Sequence, residues 1–269
     1  MNNILICGND AVYKGILLEA LSYIKHNDKP VKLYILTMDL SEIKPNYIKI
    51  TDEHVKLILD VLQSKNKESN IDVIDCKEMY LNELANSKNN LSIYTPYAIL
   101  RLFADRVINE DKILYLDTDI MVNKSLDELF NIDLGDYEYA GARDYLGRVF
   151  INPRYINSGV LLLNLKRIRE TKLFQKCLDE LKIKKYAFPD QTVLNKFVLK
   201  KKFLPMIYNY QHGYKKKCVL KHFCKTILWR PFYIVNIKQW EIDRVHKVYH
   251  IHAFDDIYEQ YNEILKGRL

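Results

Sequence analysis

Ile113-Leu-Tyr-Leu-Asp-Thr-Asp-Ile-Met-Val122 decides how this chain is read. Its first four residues are apolar without alternation, the pattern of a strand buried on both faces of a sheet. Two carboxylates, Asp117 and Asp119, stand at its end. In extended backbone, residues two apart point to the same side, so the pair can grip one cation. Oxygen ligands suit the hard ions Mn²⁺ and Mg²⁺, which keep positions open for phosphate oxygens. Such an ion acts as a Lewis acid on a departing diphosphate. An Asp-x-Asp by itself commonly forms a solvated turn, and its place at the end of a buried strand is what separates this one from that reading.

Moving toward the amino terminus, short apolar runs at Ile4 to Cys7, Val31 to Leu36, Ile71 to Ile74 and Lys112 to Leu116 read as strands. Between them, Tyr13 to Lys25, Asp52 to Ser64 behind a Thr51 cap, and Pro96 to Ile108 have apolar residues three and four apart, the helical spacing. Alternating strands and helices predict an α/β fold, with a mostly parallel sheet flanked by helices and ligands beyond the carboxyl ends of its strands. Toward the carboxyl terminus, Tyr137 to Ala142 and Gly159 to Leu165 are expected strands, Lys166 to Lys182 and Asp190 to Val198 helices, and Val248 to Ile251 a late strand. There is no repeat or linker. A single catalytic domain over residues 1–269 is expected, with a nucleotide-binding half at about 1–120 and a donor-sugar and acceptor half at about 121–269.

The chain has 269 residues, 48% of them hydrophobic, and a net charge of +7. No stretch approaches the roughly twenty apolar residues that span a bilayer, and the opening Met-Asn-Asn-Ile-Leu-Ile-Cys-Gly lacks a signal-peptide pattern. Five scattered cysteines suit free thiols in a reducing compartment, so a cytoplasmic location is expected. The charge is uneven: residues 166–230 hold 18 Lys and Arg against 4 Asp and Glu, which favours anionic partners. Within this stretch, Gly213 to Phe232 interleaves lysines with Val219, Leu220, Phe223, Ile227, Leu228 and Trp229. It is expected to form a basic helical appendage. Such a helix either lies in a membrane interface, near a lipid-linked acceptor at the inner face, or simply has a solvated face. His212, Cys218, His222 and Cys224 fit no closed zinc spacing.

Four segments in order carry a family resemblance: Tyr97-Ala-Ile-Leu-Arg-Leu-Phe, Asp111-Lys-Ile-Leu-Tyr-Leu-Asp-Thr-Asp, Tyr155-Ile-Asn-Ser-Gly-Val-Leu-Leu-Leu-Asn-Leu and Pro189-Asp-Gln-Thr-Val-Leu-Asn. They resemble glycosyltransferase family 8, which includes bacterial lipopolysaccharide galactosyl- and glucosyltransferases and the glycogenins. The similarity runs from Ile4 to about His250. It implies a GT-A type fold, a UDP-glucose or UDP-galactose donor, manganese, transfer of the hexose with retention to a saccharide or lipid-linked saccharide, and a place in cell-surface polysaccharide synthesis.

By the same resemblance, Asn9 and Asp10 are candidate uridine contacts, although the family usually carries an acid where Asn9 stands. Val12 occupies the place of an aromatic residue that stacks on the base, for which Tyr13 could substitute. Arg101 matches an arginine that contacts donor sugar and diphosphate, and Asp117 and Thr118 also border the nucleotide. Asp144, Asn157, Asp190 and Gln191 surround the donor hexose, with Asp190 bonding its hydroxyls and Gln191 near the anomeric carbon. Asp117, Asp119 and His250 are the expected metal ligands. No carboxylate stands out as a nucleophile, which favours same-face attack, with Arg101 and the metal stabilising the leaving group.

One departure stands out. The family's Gly-x-x-Lys-Pro-Trp after the histidine, whose lysine touches the diphosphate, is replaced behind His250 by Ala253-Phe-Asp-Asp-Ile-Tyr. Lys247, Lys266 and Arg268 are the candidate substitutes. The loss motivates an alternative, a non-catalytic nucleotide-sugar binding protein of the same fold. A nucleic-acid binder would leave the Asp-x-Asp unexplained, and a dinucleotide enzyme would need more glycines than Cys7-Gly-Asn-Asp offers.

Overall fold

The computed structural model describes residues 1–91, 96–229 and 232–267. Eleven strands lie among them: β1 (Asn2–Cys7), β2 (Val31–Thr37), β3 (Asn70–Asp75), β4 (Lys112–Leu116), β5 (Ile120–Val122), β6 (Tyr139–Arg143), β7 (Ile156–Asn164), β8 (Lys201–Leu204), β9 (Leu220–His222), β10 (Thr226–Trp229) and β11 (Phe232–Val235). Seven form the central sheet in the order β3-β2-β1-β4-β7-β6-β8. The first four are parallel, and β7 alone runs against its neighbours β4 and β6. This is the expected mostly parallel α/β sheet.

The non-alternating apolar strands have the predicted cause. Ile4 and Ile6 of β1, Leu33 and Ile35 of β2, and Leu114 and Leu116 of β4 enter one core. The residues between them, Leu5, Cys7, Tyr34, Leu36, Ile113 and Tyr115, enter the other. Each fully buried Leu or Ile contributes about 1.5–3 kcal/mol, so a register slip of one residue would only exchange one core for the other. Side-chain size and the flanking polar residues must set the register here. The helices Tyr13–His26 and Asp52–Lys65 lie where expected, and Thr51 caps the second by accepting from the His54 amide.

Four expectations change. Pro96 to Ile108 is a 3₁₀ helix over Pro96–Phe103 followed by a short α-turn, Ala104–Val107, with Ile99, Leu100, Arg101, Leu102 and Phe103 all buried. Lys166 to Lys182 is two helices, Leu165–Thr171 and Leu173–Ile183, broken where Lys172 adopts a left-handed φ of 56°. Val248 to Ile251 is no strand: Val245–Tyr249 is a π-helical turn, and His250 closes it at φ 52°.

The basic segment, finally, is not a helical appendage. Among its described residues it forms β9, which pairs with β5, and the antiparallel strands β10 and β11. Thr226-Ile-Leu-Trp and Phe232-Tyr-Ile-Val are β-branched and aromatic, and Pro231 between them cannot continue a helix. The described carboxyl-terminal helix is Asp255–Leu265. No helix among the described residues is long and apolar enough to cross a membrane. The five cysteines are free thiols, and four of them are buried.

Candidate active site

The carboxyl end of β4 delivers Asp117 and Asp119, and β7 runs alongside with Asn157, Ser158 and Gly159 at its start. Asp117 is fixed from below: Tyr115 Oη donates to its Oδ1 at 2.5 Å, and Arg101 Nη2 donates to the same oxygen at 2.9 Å. Arg101 is fully buried, with its guanidinium 3.9 Å from the centre of the Tyr115 ring. Its Nε donates to the Ala98 carbonyl and its Nη1 to the Ser158 carbonyl. Every nitrogen of the fork is thus engaged within the protein, and Asp190 Oδ2 stands 3.4 Å from Nη1.

Gln191 and Asp190 open the helix Pro189–Phe197. Gln191 Oε1 accepts from the Ser158 amide at 2.9 Å, and Asp190 Oδ2 accepts from Ser158 Oγ at 2.9 Å. Asp144, beyond β6, accepts from Asn157 Nδ2 at 2.8 Å and from Gln191 Nε2 at 3.2 Å through Oδ2, while its Oδ1 takes the amides of Leu146 and Gly147. The structure therefore brings Arg101, Asp117, Asp144, Asn157, Asp190 and Gln191 into one bonded network.

The histidine of this network is His222, at the end of β9, not His250. Its Nε2 lies 3.0 Å from Asp119 Oδ1 and 3.7 Å from Asp117 Oδ2. The ligand atoms of Asp117, Asp119 and His222 all fall within 4.8 Å of one another. His250 is exposed, belongs to none of the metal-competent groups among the described residues, and sits beyond a π-helical turn where a strand was expected. Gly159 makes the cluster sterically possible. A Cβ there would come within 2.3 Å of His222 Cε1 and 2.8 Å of Asp117 Oδ2.

A divalent cation fits these residues. Asp119 Oδ1 is buried and accepts no hydrogen bond, and burial of an unsatisfied carboxylate oxygen is costly. Burial alone would raise the Asp119 carboxyl, yet Lys238 and His222 outweigh it and hold it well below its usual range. Burial would likewise lower His222, but Cys224 and Asp119 hold it well above. Both directions have one cause: the acidic groups and the cations of the cluster stabilise each other's charge.

The second cation here is Lys238, whose Nζ donates to Asp119 Oδ2 at 2.5 Å. Of the substitutes expected from the sequence, Lys247 and Lys266 are exposed, and Arg268 lies outside the described residues. A signal was present, since Lys238-Gln239-Trp240 differs from Lys-Pro-Trp at one position. It was hidden because β10 and β11 stand between it and His222. Gln239 Nε2 donates to the Thr118 carbonyl at 2.8 Å, and Gly15 lets Thr118 and Trp240 approach: a Cβ on it would lie 2.2 Å from that carbonyl oxygen and 2.7 Å from Trp240 Cζ3.

Asn9 and Asp10 form a neighbouring cluster beyond β1, joined to the first where Gly8 faces Thr118 Cγ2. Asn9 is buried and donates to the Asn46 carbonyl at 3.0 Å. Asp10 Oδ1 accepts from the Thr51 amide at 3.0 Å and lies 2.6 Å from His54 Nδ1. Burial would raise the Asp10 carboxyl, but these contacts hold it below the usual value. Tyr13 stacks on the His54 ring, 3.5 Å between centroids.

With this geometry in view, comparison with known proteins is decisive. The model of glycosyl transferase family 8 matches residues 3–241, a span that includes His222 and Lys238 and ends before His250.

The chain belongs to glycosyl transferase family 8.

Curated relatives of this family 8 chain include the glycosyltransferases GlyE and GlyA of Streptococcus pneumoniae serotype 4. GlyE is 31% identical over 215 residues, 78% of this chain and 48% of GlyE. GlyA is 30% identical over 202 residues, 74% of this chain and 26% of GlyA. The chain thus spans about a quarter to a half of these relatives. Among solved structures, the galactosyltransferase LgtC, in complex with donor and acceptor sugar analogs, superposes with a TM-score of 0.71 over 99% of this chain and 100% of its own, at 19% identity. That likeness shows the shared GT-A fold.

Proposed function

We propose that this family 8 chain transfers a hexose, glucose or galactose, from UDP to a saccharide or lipid-linked saccharide with retention of configuration, using Mn²⁺, or Mg²⁺ in its place, held by Asp117, Asp119 and His222. The observation that carries the reading is the orphaned Asp119 Oδ1 facing His222 Nε2 at 3.0 Å. When bound, the ion supplies Lewis-acid stabilisation of the leaving diphosphate.

The protein's own residues divide the remaining work. Buried Arg101, with its fork already engaged, acts as a positioning residue that holds Asp117, Asp190 and the Ser158 backbone. Lys238 is the cation that meets the diphosphate, from a side chain still partly open to solvent. Asn9, Asp10 and Thr118 border the uridine end. Asp144, Asn157, Asp190 and Gln191 surround the hexose, and both carboxyls in this set are committed to hydrogen bonds, which supports transfer without a carboxylate nucleophile. The acceptor hydroxyl bonds to the anomeric carbon on the face that UDP leaves. Its proton passes to the departing phosphate oxygen as the glycosidic phosphate bond breaks. The binding-protein alternative was motivated by a missing lysine, whose place this reading gives to Lys238.

Mn²⁺-dependent release of UDP from UDP-glucose or UDP-galactose, abolished in Asp119→Ala, tests the proposal. Absence of turnover with both donors, together with UDP binding that is indifferent to Mn²⁺, overturns it.

A further inference from the structure

The histidine-rich tail that the sequence offered for the catalytic metal is left unused by the catalytic cluster. It has its own geometry. Val245–Tyr249 forms a π-helical turn, a rare conformation frequently found at functional sites, and His250 closes it in the left-handed region that a non-glycine residue enters at a cost. This turn lays the His246 ring on the His252 ring, with centroids 4.5 Å apart and planes 24° from parallel. Asp255, the first residue of the helix Asp255–Leu265, bridges them. Its Oδ1 lies 2.8 Å from His246 Nε2 and its Oδ2 lies 3.2 Å from His252 Nδ1.

We propose that His246, His252 and Asp255 form a second metal site, selective for Zn²⁺ or a similar nitrogen-seeking transition ion. One ligand atom from each residue falls within 4.8 Å of the others, close enough for a single ion to gather them with small rotations. Two imidazole nitrogens and one carboxylate oxygen are ligands that zinc accepts, whereas Mg²⁺ and Ca²⁺ prefer oxygen throughout. Three protein ligands leave a fourth tetrahedral position for water. Asp256 stays outside the set, paired with Lys25 Nζ at 2.5 Å, and Tyr258 packs edge-on against His246. The site joins the π-helical turn to the carboxyl-terminal helix, so the ion clamps that helix to the body of the protein. The inference is independent of the proposed transfer reaction.

The test uses the full chain without a histidine tag, stripped by chelator and carrying Asp119→Asn, so that zinc cannot report on the catalytic cluster; His222→Ala serves as a second background. Titration with ZnCl₂ is expected to show about one bound equivalent, and Co²⁺ is expected to give the visible absorption of a tetrahedral site. Adding His252→Ala or Asp255→Asn weakens Zn²⁺ binding by at least about tenfold, the lower end of what even outer ligand partners contribute. His252 is mostly exposed, so its loss leaves the fold intact, which circular dichroism checks. No bound equivalent in either background, or unchanged affinity after both added substitutions, overturns the proposal.

Discussion

Asn209 Oδ1 lies 2.9 Å from His222 Nδ1, and the same amide donates through Nδ2 to Asn157 Oδ1 at 2.8 Å. The second bond orients the amide, so its oxygen faces the ring and His222 Nδ1 carries the proton. Nε2 is the nitrogen that faces the aspartates, and it is the one that gives up its proton when it ligates a metal. His222→Ala is therefore expected to lower Mn²⁺-dependent UDP release by about 100-fold or more, while His250→Ala stays within about twofold of the parent. Asn209→Leu should weaken Mn²⁺ affinity by about 10–100-fold, with turnover largely restored at saturating Mn²⁺. Activity measured across a Mn²⁺ titration separates the three variants.

Lys238 contributes a charge rather than a shape. Lys238→Met should reduce turnover of the UDP-sugar by about 10²–10³-fold, the range for losing one charge-stabilising donor. Lys238→Arg keeps the charge and should recover part of that loss. Steady-state kinetics on both variants decide the matter, and equal activity of Lys238→Met and the parent would remove Lys238 from the site.

Gly159→Ala places a methyl group where His222 and Asp117 approach. Overpacking of this kind costs about 1–3 kcal/mol. The expected outcome is a lower Tm together with lost stabilisation by Mn²⁺, both read in one thermal melt with and without the ion.

Lys201 sits half-buried at β8, with Asn195 Oδ1 accepting from its Nζ at 2.8 Å. Burial, and then the nearby charge of Arg154, push its ammonium down from 10.5 to about 8. The folded state thus binds this proton less tightly than the unfolded chain, so the stability at stake is present above pH 10.5 and lost as pH falls through about 8. Lys201→Met should raise Tm by roughly 2 °C or more near neutral pH, with the gain shrinking as the pH rises from about 8 to 10.5. A melt series across pH measures the slope.

The hairpin of β10 and β11 exposes Trp229, Phe232 and Ile234 beside exposed Lys225. Aromatic residues flanked by lysine suit an anionic lipid interface. Co-sedimentation with anionic vesicles should fall several-fold in Trp229→Ser with Phe232→Ser. Equal binding to neutral vesicles would end the membrane reading.

The sheet, and the half of the site that travels with it, was legible in the residues. β1 to β4 follow from uninterrupted apolar runs, and Asp117 and Asp119 from their offset of two at a strand end, because both are local patterns. Asp144, Asn157, Asp190 and Gln191 were expected by motif to share one site, and the structure gathers them around Ser158 and one another.

What tertiary structure alone decided is which distant residues complete the cluster. His222 and Lys238 come from either side of an inserted hairpin, so the spacing that would have paired them is broken in the chain and restored only in space. His250 lay in a sequence that reads equally well as a strand, and the backbone instead closed a π turn that carried it to the surface. Arg101 was expected to contact the donor, and only the structure shows that its buried guanidinium also donates to Asp117 and two carbonyls. Short-range periodicity fixed where β1 to β4 and the first two long helices form. Which charges meet depends on long loops whose course is set by packing, and no local pattern encodes that.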